Sequence, residues 1–315
     1  MKRVTNSEVR CYKRCKRKWW LTYVRELSPR VPELTGARQL GSRVHLALRA
    51  YYTKLGAEGR EAAFDALRAL RSRELERNPA VAQDIEKEHS FATIVVEGYF
   101  EWLEAEGGDS DLEILGAETT IEAPSPHPDV MLLGRLDLPV RRKSTGDEGF
   151  VDHKVVQNFA DPIKTLDLDE QFRMYALMRK LVAVDEPTIR FQIYNMLRKV
   201  KRTKSANPPF YMRYEVYISD AELRAFWARL WSEITDIIAS EARLAAGEDH
   251  RVVVYPSPRR DCSWDCDFRM VCPMFDNDLA DPEHVLAMNF EHKDPLTYYY
   301  DEDEEDPNPI DASVI

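Results

Sequence analysis

Residues 130–156 read VMLLGRLDLPVRRKSTGDEGFVDHKVV. Apolar residues crowd both arms, and KSTGDEG at 143–149 is rich in turn formers. The pattern predicts a strand over 130–141, a turn, and a strand over 149–156. Asp137 and Asp152 flank a midpoint between Ser144 and Thr145. Antiparallel pairing without a bulge sets the two carboxylates almost opposite each other, about 4.5–5.5 Å apart at Cα or Cβ. Carboxylates so placed repel unless a cation lies between them, and oxygen donors suit a hard ion such as Mg²⁺ or Mn²⁺. Lys154 follows Asp152 by two residues and shares its face of the strand. An ammonium there orients an attacking water or neutralises charge building on a phosphate, and the His153 carbonyl offers a further ligand. The plainer reading is a surface hairpin with ordinary acids. Leu133, Leu136, Leu138, Val151, Val155 and Val156 argue against it, because they mark a buried strand pair in which acids need partners.

Outward from this hairpin the first half of the chain reads as helical. Thr5 or Ser7 caps a helix to about 24 with Trp19, Trp20 and Tyr23 on its apolar side. Amphipathic stretches follow over about 40–55, 60–77 and 83–106. Period-two patterning predicts strands over 112–121, 188–197 and 211–218. A helix is expected over 167–183, and another from Ser219 or Asp220 to about 246. This succession implies the α/β class, a central mixed sheet flanked by helices. The divisions are a helical part over 1–110, a sheet-bearing core over 111–218, a helix and cysteine segment over 219–280, and an acidic, mobile tail over 281–315.

Cys262, Cys266 and Cys272 fall within eleven residues, in DCSWDCDFRMVCPMF, with Pro273 directly after the last. That spacing suits a metal centre better than core packing. A fourth thiolate has to come from Cys11 or Cys15, so a site of this kind clasps the two ends of the chain together.

The 315 residues suffice for one large domain or two modest ones. No run of about 18 apolar residues occurs, and the opening MKRVTNSEVR lacks the apolar stretch of a signal peptide. Five cysteines without short even spacings argue for a reducing compartment, so a cytoplasmic location away from membranes is expected. The formal net charge of −11 is unevenly spread, because residues 281–315 hold 11 acids and one lysine. Residues 1–30 carry ten Lys or Arg against two Glu, and Arg198, Lys199, Lys201, Arg202 and Lys204 form a second basic cluster. Both clusters are either phosphate-binding patches or ordinary solvated surface.

Five stretches in order resemble the PD-(D/E)XK nuclease superfamily, and within it the RecB-like branch. Gly41-Ser42-Arg43-Val44-His45 is similar to its Gly-x-x-x-His helix motif, and Gly134-Arg135-Leu136-Asp137 to its Gly-x-x-Asp strand motif. Asp152-His153-Lys154 is similar to its acid-x-Lys motif, and Gln171-Phe172-Arg173-Met174-Tyr175 to its Gln-x-x-x-Tyr helix motif. One cysteine near the start and three near the end resemble the iron–sulfur members, which include AddB-type helicase–nuclease subunits and small CRISPR-associated exonucleases. The resemblance spans about 5–275 and implies a restriction-endonuclease-like core. It implies that His45, Asp137 and Asp152 bind the catalytic metal, that Lys154 helps activate the water, and that Gln171 and Tyr175 border the site. It further implies a 4Fe–4S cluster on Cys15, Cys262, Cys266 and Cys272. Cys15 is preferred over Cys11 because Cys-Lys-Arg-Lys-Trp-Trp resembles the family's Cys-x-Arg-Lys-aromatic opening. The chain departs from the commoner pattern in having Asp before x-Lys, and C-x3-C-x5-C where C-x2-C-x5-C is usual; zinc is the runner-up to the cluster.

The expected function is therefore a Mg²⁺- or Mn²⁺-dependent deoxyribonuclease that hydrolyses phosphodiester bonds with a metal-activated water, as an exonuclease on DNA ends. No G-x-x-x-x-G-K-[ST] phosphate loop is present, so no helicase motor is expected within these residues. The alternative is a non-catalytic iron–sulfur DNA-binding adaptor, or a subunit of a recombination, repair or CRISPR adaptation complex, with homo-oligomers also open. Standing alone, His45 reads as an ordinary helix histidine, and Gln171 with Tyr175 as a helix face. Glu118 reads as an outer contributor reaching the site from the neighbouring strand.

Overall fold

The computed structural model describes residues 1–31, 34–182, 189–203 and 205–300. Residue 183 of an expected helix, residue 188 of an expected strand, Lys204 of the second basic cluster, and 301–315 lie outside the described residues.

Strand β1 (Lys2–Thr5) leads into α1 (Asn6–Arg14), α2 (Lys16–Trp19) and a π-helical turn over Trp20–Val24. Strand β2 (Leu27–Pro29) precedes three helices, α3 (Ala37–Lys54), α4 (Gly56–Arg77) and α5 (Ala82–Glu106). The strands β3 (Leu112–Ile114), β4 (Thr119–Pro124), β5 (Val130–Leu136), β6 (Leu138–Arg142) and β7 (Glu148–Val156) follow. Next come α6 (Ala160–Ile163), α7 (Glu170–Val182), β8 (Ile189–Arg198), β9 (Tyr211–Tyr217), α8 (Asp220–Ala245) and α9 (His250–Val253). After the cysteine segment the described chain ends with α10 (Pro282–Asn289), β10 (Phe290–His292) and α11 (Thr297–Tyr300).

The fold is mixed α/β with flanking helices, but the sheet is divided. One sheet has the order β3-β6-β7-β8-β9, with β7 and β8 parallel and the other neighbours antiparallel. A second has the order β1-β5-β4, with β1 parallel to β5. The expected strands over 112–121 and 130–141 are each split, into β3 with β4 and into β5 with β6. The register shows why: Ile114 pairs with Val140, whereas Thr119 pairs with Leu136. Five steps along one strand match four along the other, so 115–118 hold one extra residue. This is a bulge that bends the ribbon and passes it from one sheet to the other.

Apolar side chains alternate across β7. Phe150 packs with Leu132, Leu136, Phe172 and Tyr175 on the side of α1, α7 and α8. Val151 packs with Leu138, Val140, Leu48 and Val95 on the side of α3 and α5. Helix α3 repeats Leu40, Val44, Ala47, Leu48 and Tyr51 at helical spacing, which turns one face inward. Thr5 caps α1 by accepting from the Glu8 N–H, and Ser219 with Glu222 forms a capping box on α8.

The single helix expected to run to about 24 is interrupted at Cys15, whose extended backbone (φ −161°, ψ 110°) breaks it. Cys11 and Cys15 are therefore not on one continuous helix face. Residues 281–300, expected as part of a mobile tail, form α10, β10 and α11. β10 pairs with β2, and Phe290 stacks on Phe268 at 4.9 Å. The apolar partners Leu21, Phe268, Val271, Phe275, Leu286 and Phe290 give this end of the chain its own small core. Among the described residues no helix is long and apolar enough to cross a membrane.

Candidate functional site

The site lies at the bend. Asp137 is the residue between β5 and β6, and it stands opposite Asp152 one step beyond the Leu138–Val151 pair. Its Oδ2 accepts from the His153 N–H at 2.9 Å and lies 3.4 Å from His45 Nδ1. His45 comes from α3, and its Nε2 donates to the His153 carbonyl at 2.7 Å. A carbonyl can only accept, so Nε2 carries a proton in this arrangement. Burial works against a charge on His45, but Asp137, Glu118 and Asp152 outweigh it and raise its pKa.

Alternation along β7 sends Asp152 and Lys154 to the α7 face and the His153 ring to the other. Lys154 Nζ is 3.1 Å from Asp152 Oδ2 and donates to Gln171 Oε1 at 3.4 Å. Gln171 Nε2 in turn donates to the Tyr175 hydroxyl at 3.5 Å. Asp152 is 2% exposed, and the Lys154 ammonium is the ionic partner of its Oδ2. Burial pushes its pKa up to about 7, with Lys154 pulling down and Asp137 pushing further up. The His153 ring stacks on Tyr52 at 5.6 Å, and its Nδ1 is 2.9 Å from Asn195 Nδ2. Burial, His45 and Arg213 hold it well below the ordinary histidine pKa.

Gly134 is needed for this packing. A Cβ there would come within 2.5 Å of Tyr175 Cε1. A Cβ on Gly41, in contrast, would meet nothing within 4 Å.

Glu118, expected to reach the site from the neighbouring strand, stands beside His45 and Asp137. Among the described residues, His45, Glu118 and Asp137 form the one group of three whose ligand atoms all lie within 4.8 Å of one another. Glu118 ends the bulge with a left-handed backbone (φ 51°), and its side chain is 8% exposed. Its Oε2 is 3.0 Å from Arg135 Nε and accepts from the Tyr298 hydroxyl at 3.4 Å. Burial first, and then Asp137, push its pKa up to about 7 against His45 and Arg135. Tyr298 was not foreseen at all. Arg135 donates to its carbonyl at 2.6 Å and lies 4.9 Å over its ring. The cleft beside Asp137 is lined by Arg135, Gln171, Tyr175, Tyr298 and Tyr299. Gly116 was the only local sign of the bulge.

The cysteine segment packs against the opening helices. Arg17, 1% exposed, pairs with both oxygens of Asp276 at 2.8 and 2.9 Å and donates to the carbonyls of Cys272 and Val254. Arg14 bridges Asp261 and Asp265, and Arg38 also reaches Asp265. Cys15 Sγ accepts from the Ser257 N–H at 3.5 Å, and Cys262 Sγ from the Arg259 N–H at 3.4 Å. Burial raises the Cys266 and Cys272 thiols; Cys15 adds to this, while Lys18 and Arg17 respectively oppose it. Cys11 instead packs with Val4, Val9 and Tyr12, and burial pushes it up to about 12. The basic opening of the chain is largely spent inside the molecule. Lys2, Arg3, Lys13, Arg14, Arg17 and Arg25, six of the ten cations over 1–30, pair with carboxylates.

A family model described as the PD-(D/E)XK nuclease superfamily matches residues 3–273. The chain belongs to the PD-(D/E)XK nuclease superfamily. This superfamily is one of nucleases that use divalent metals, and membership implies a nucleic-acid substrate. No curated protein matches the chain. A solved structure described as "Crystal structure of SSO0001" is similar at 16% identity, covers 64% of this chain and 79% of that one, and has a TM-score of 0.30. For a superfamily member, the donors fit a hard cation: the carboxylates of Glu118, Asp137 and Asp152, the His45 imidazole and the His153 carbonyl.

Proposed function

We propose that this chain is a RecB-like deoxyribonuclease that uses Mg²⁺ or Mn²⁺ and acts as an exonuclease on DNA ends. The observation that carries the reading is the meeting of His45, Asp137, Asp152 and Lys154 across the bend, with Lys154 held between Asp152 and Gln171. His45, Asp137, Asp152 and the His153 carbonyl would hold the cation. When bound, the cation supplies Lewis acidity at the phosphate and lowers the pKa of a water. Lys154 places a positive charge where a scissile phosphate becomes more negative, and loss of such a group typically costs about 10²–10³ in rate. Gln171 fixes the ammonium, and Tyr175 fixes Gln171 against the sheet.

Cys15, Cys262, Cys266 and Cys272 are proposed to hold a 4Fe–4S cluster, with zinc the alternative. The Ser257 and Arg259 N–H groups that donate to the Cys15 and Cys262 sulfurs, and the placement of Cys11 in a separate apolar core, support this set. A centre there would brace the two ends of the chain rather than shuttle electrons, since Arg14 and Arg17 tie the same segments together.

The deciding experiment incubates end-labelled linear DNA and closed circular DNA with Mg²⁺, Mn²⁺ or EDTA, comparing native protein with Lys154→Ala. Metal-dependent loss of linear DNA by the native protein alone supports the reading, and survival of the circle supports the exonuclease mode. Equal inertness of the two folded proteins would reject it in favour of a DNA-binding adaptor.

A further inference from the structure

We infer that Glu118 is itself a ligand of the divalent cation, joining His45 and Asp137 from the β3–β4 side of the bend. This rests on the metal-dependent nuclease reading and adds a residue that none of the five motifs contains.

The geometry points there directly. An ion with ligands at about 2.1 Å holds neighbouring donors about 3 Å apart and opposite donors about 4.2 Å apart. The ligand atoms of His45, Glu118 and Asp137 already lie within 4.8 Å of one another, so closing on an ion asks for movements well under the length of a side chain. A second observation is independent of that trio. Asp152 stands opposite Asp137, is 2% exposed, and has its Oδ2 3.1 Å from the Lys154 ammonium, so a carboxylate is held on the far side of Asp137 as well. Asp137 is thus flanked by Glu118, grouped with it and His45, and by Asp152 across the strand pair.

The bulge explains how Glu118 arrives. Without the extra residue over 115–118, alternation would continue unbroken from β3 into β4. With it, the backbone turns through a left-handed conformation and Glu118 leaves the regular ladder. Arg135 and Tyr298 then hold the carboxylate on its Oε2 side. Supporting contacts of this kind orient a ligand.

The test is Mn²⁺ binding to the full-length protein by calorimetry, with Glu118→Gln, Asp137→Asn and Glu122→Gln. Glu122 lies four residues on, within β4, and pairs with Arg3. Glu118→Gln is expected to weaken Mn²⁺ at least tenfold, Asp137→Asn by a similar factor, and Glu122→Gln not at all. A folded Glu118→Gln that binds Mn²⁺ as tightly as native overturns the inference while leaving the nuclease reading standing. Native protein that binds no Mn²⁺ overturns both. A crystal of native protein soaked in Mn²⁺ gives an answer that does not depend on any variant folding. Anomalous density with a Glu118 oxygen at about 2.2 Å supports the assignment, and a bound ion beyond reach of Glu118 ends it.

Discussion

The backbone N–H of Glu118 donates to the carbonyl of Asp137 at 2.8 Å, tying the end of the bulge to the residue that separates β5 from β6. Both strands therefore change sheet at the same place, and the side chains released from the ladder there are the two acids nearest His45. Bulges beside active sites commonly re-aim side chains in this way.

That arrangement ties stability to pH. Glu118 and Asp152 both have pKa values raised to about 7, mainly by burial. In the unfolded chain such carboxyls titrate near about 4, so the folded protein binds the two protons more tightly. Their contribution to stability is complete below about pH 4 and is lost as pH rises through about 7. In EDTA, the melting temperature of native protein is expected to fall relative to Glu118→Gln between pH 5 and 8. Mn²⁺ should reverse the trend, because a cation needs the ionised ligands. Its affinity should drop about tenfold per pH unit below 7 for each carboxyl that must give up a proton. A difference in melting temperature that stays flat with pH would refute the account.

Gly134→Ala should destabilise the protein by about 1–3 kcal/mol, because the new methyl group meets the Tyr175 ring at 2.5 Å. Urea unfolding measures this. Shrinking the ring with Tyr175→Leu in the same chain should recover part of the loss, and additive losses would mean that the two residues do not compete for the space. Gly41→Ala is the contrast: nothing crowds that position, and helix propensity predicts a gain of up to about 1 kcal/mol.

Arg17→Met removes donors from Asp276 and from the carbonyls of Cys272 and Val254. Asp276 can turn to water, so the expected cost is about 3 kcal/mol, chiefly from the buried carbonyls left unmet. Chemical denaturation gives the number. A faster reaction of Cys272 with a thiol reagent should accompany it, since Arg17 bonds the backbone of that residue.

Removing residues 296–315 should strengthen DNA binding at low salt. Tyr298 and Tyr299 line the cleft beside Asp137, and the deleted residues include seven acids. Filter binding at two salt concentrations tests this. A gain that vanishes at high salt identifies charge repulsion, and a gain that persists identifies steric cover by the aromatic residues. No gain at either salt concentration would mean that the segment does not compete with DNA.

Local pattern made most of this molecule readable in advance. The helices over 37–54, 56–77, 82–106 and 220–245, and the pairing that sets Asp137 opposite Asp152, follow from periodicity, caps and a turn, all of which act over a few residues. The placement of Lys154 beside Asp152 follows from alternation alone. Tertiary structure decided what depends on long-range contact. Cys15 breaks its helix where the cysteine segment packs against it, and Lys2–Thr5 becomes a strand only because β5 offers it an edge. Six of the ten cations of the first thirty residues pair with acids from 8 to 283, a fate that charge counting cannot foresee. Glu118 and Tyr298 are 180 positions apart and meet only in the folded chain. The sequence determines the elements and the acid–acid–lysine core of the site, because propensity and alternation are local. The bulge, the clasp and the aromatic cover come from burial and pairing between distant segments.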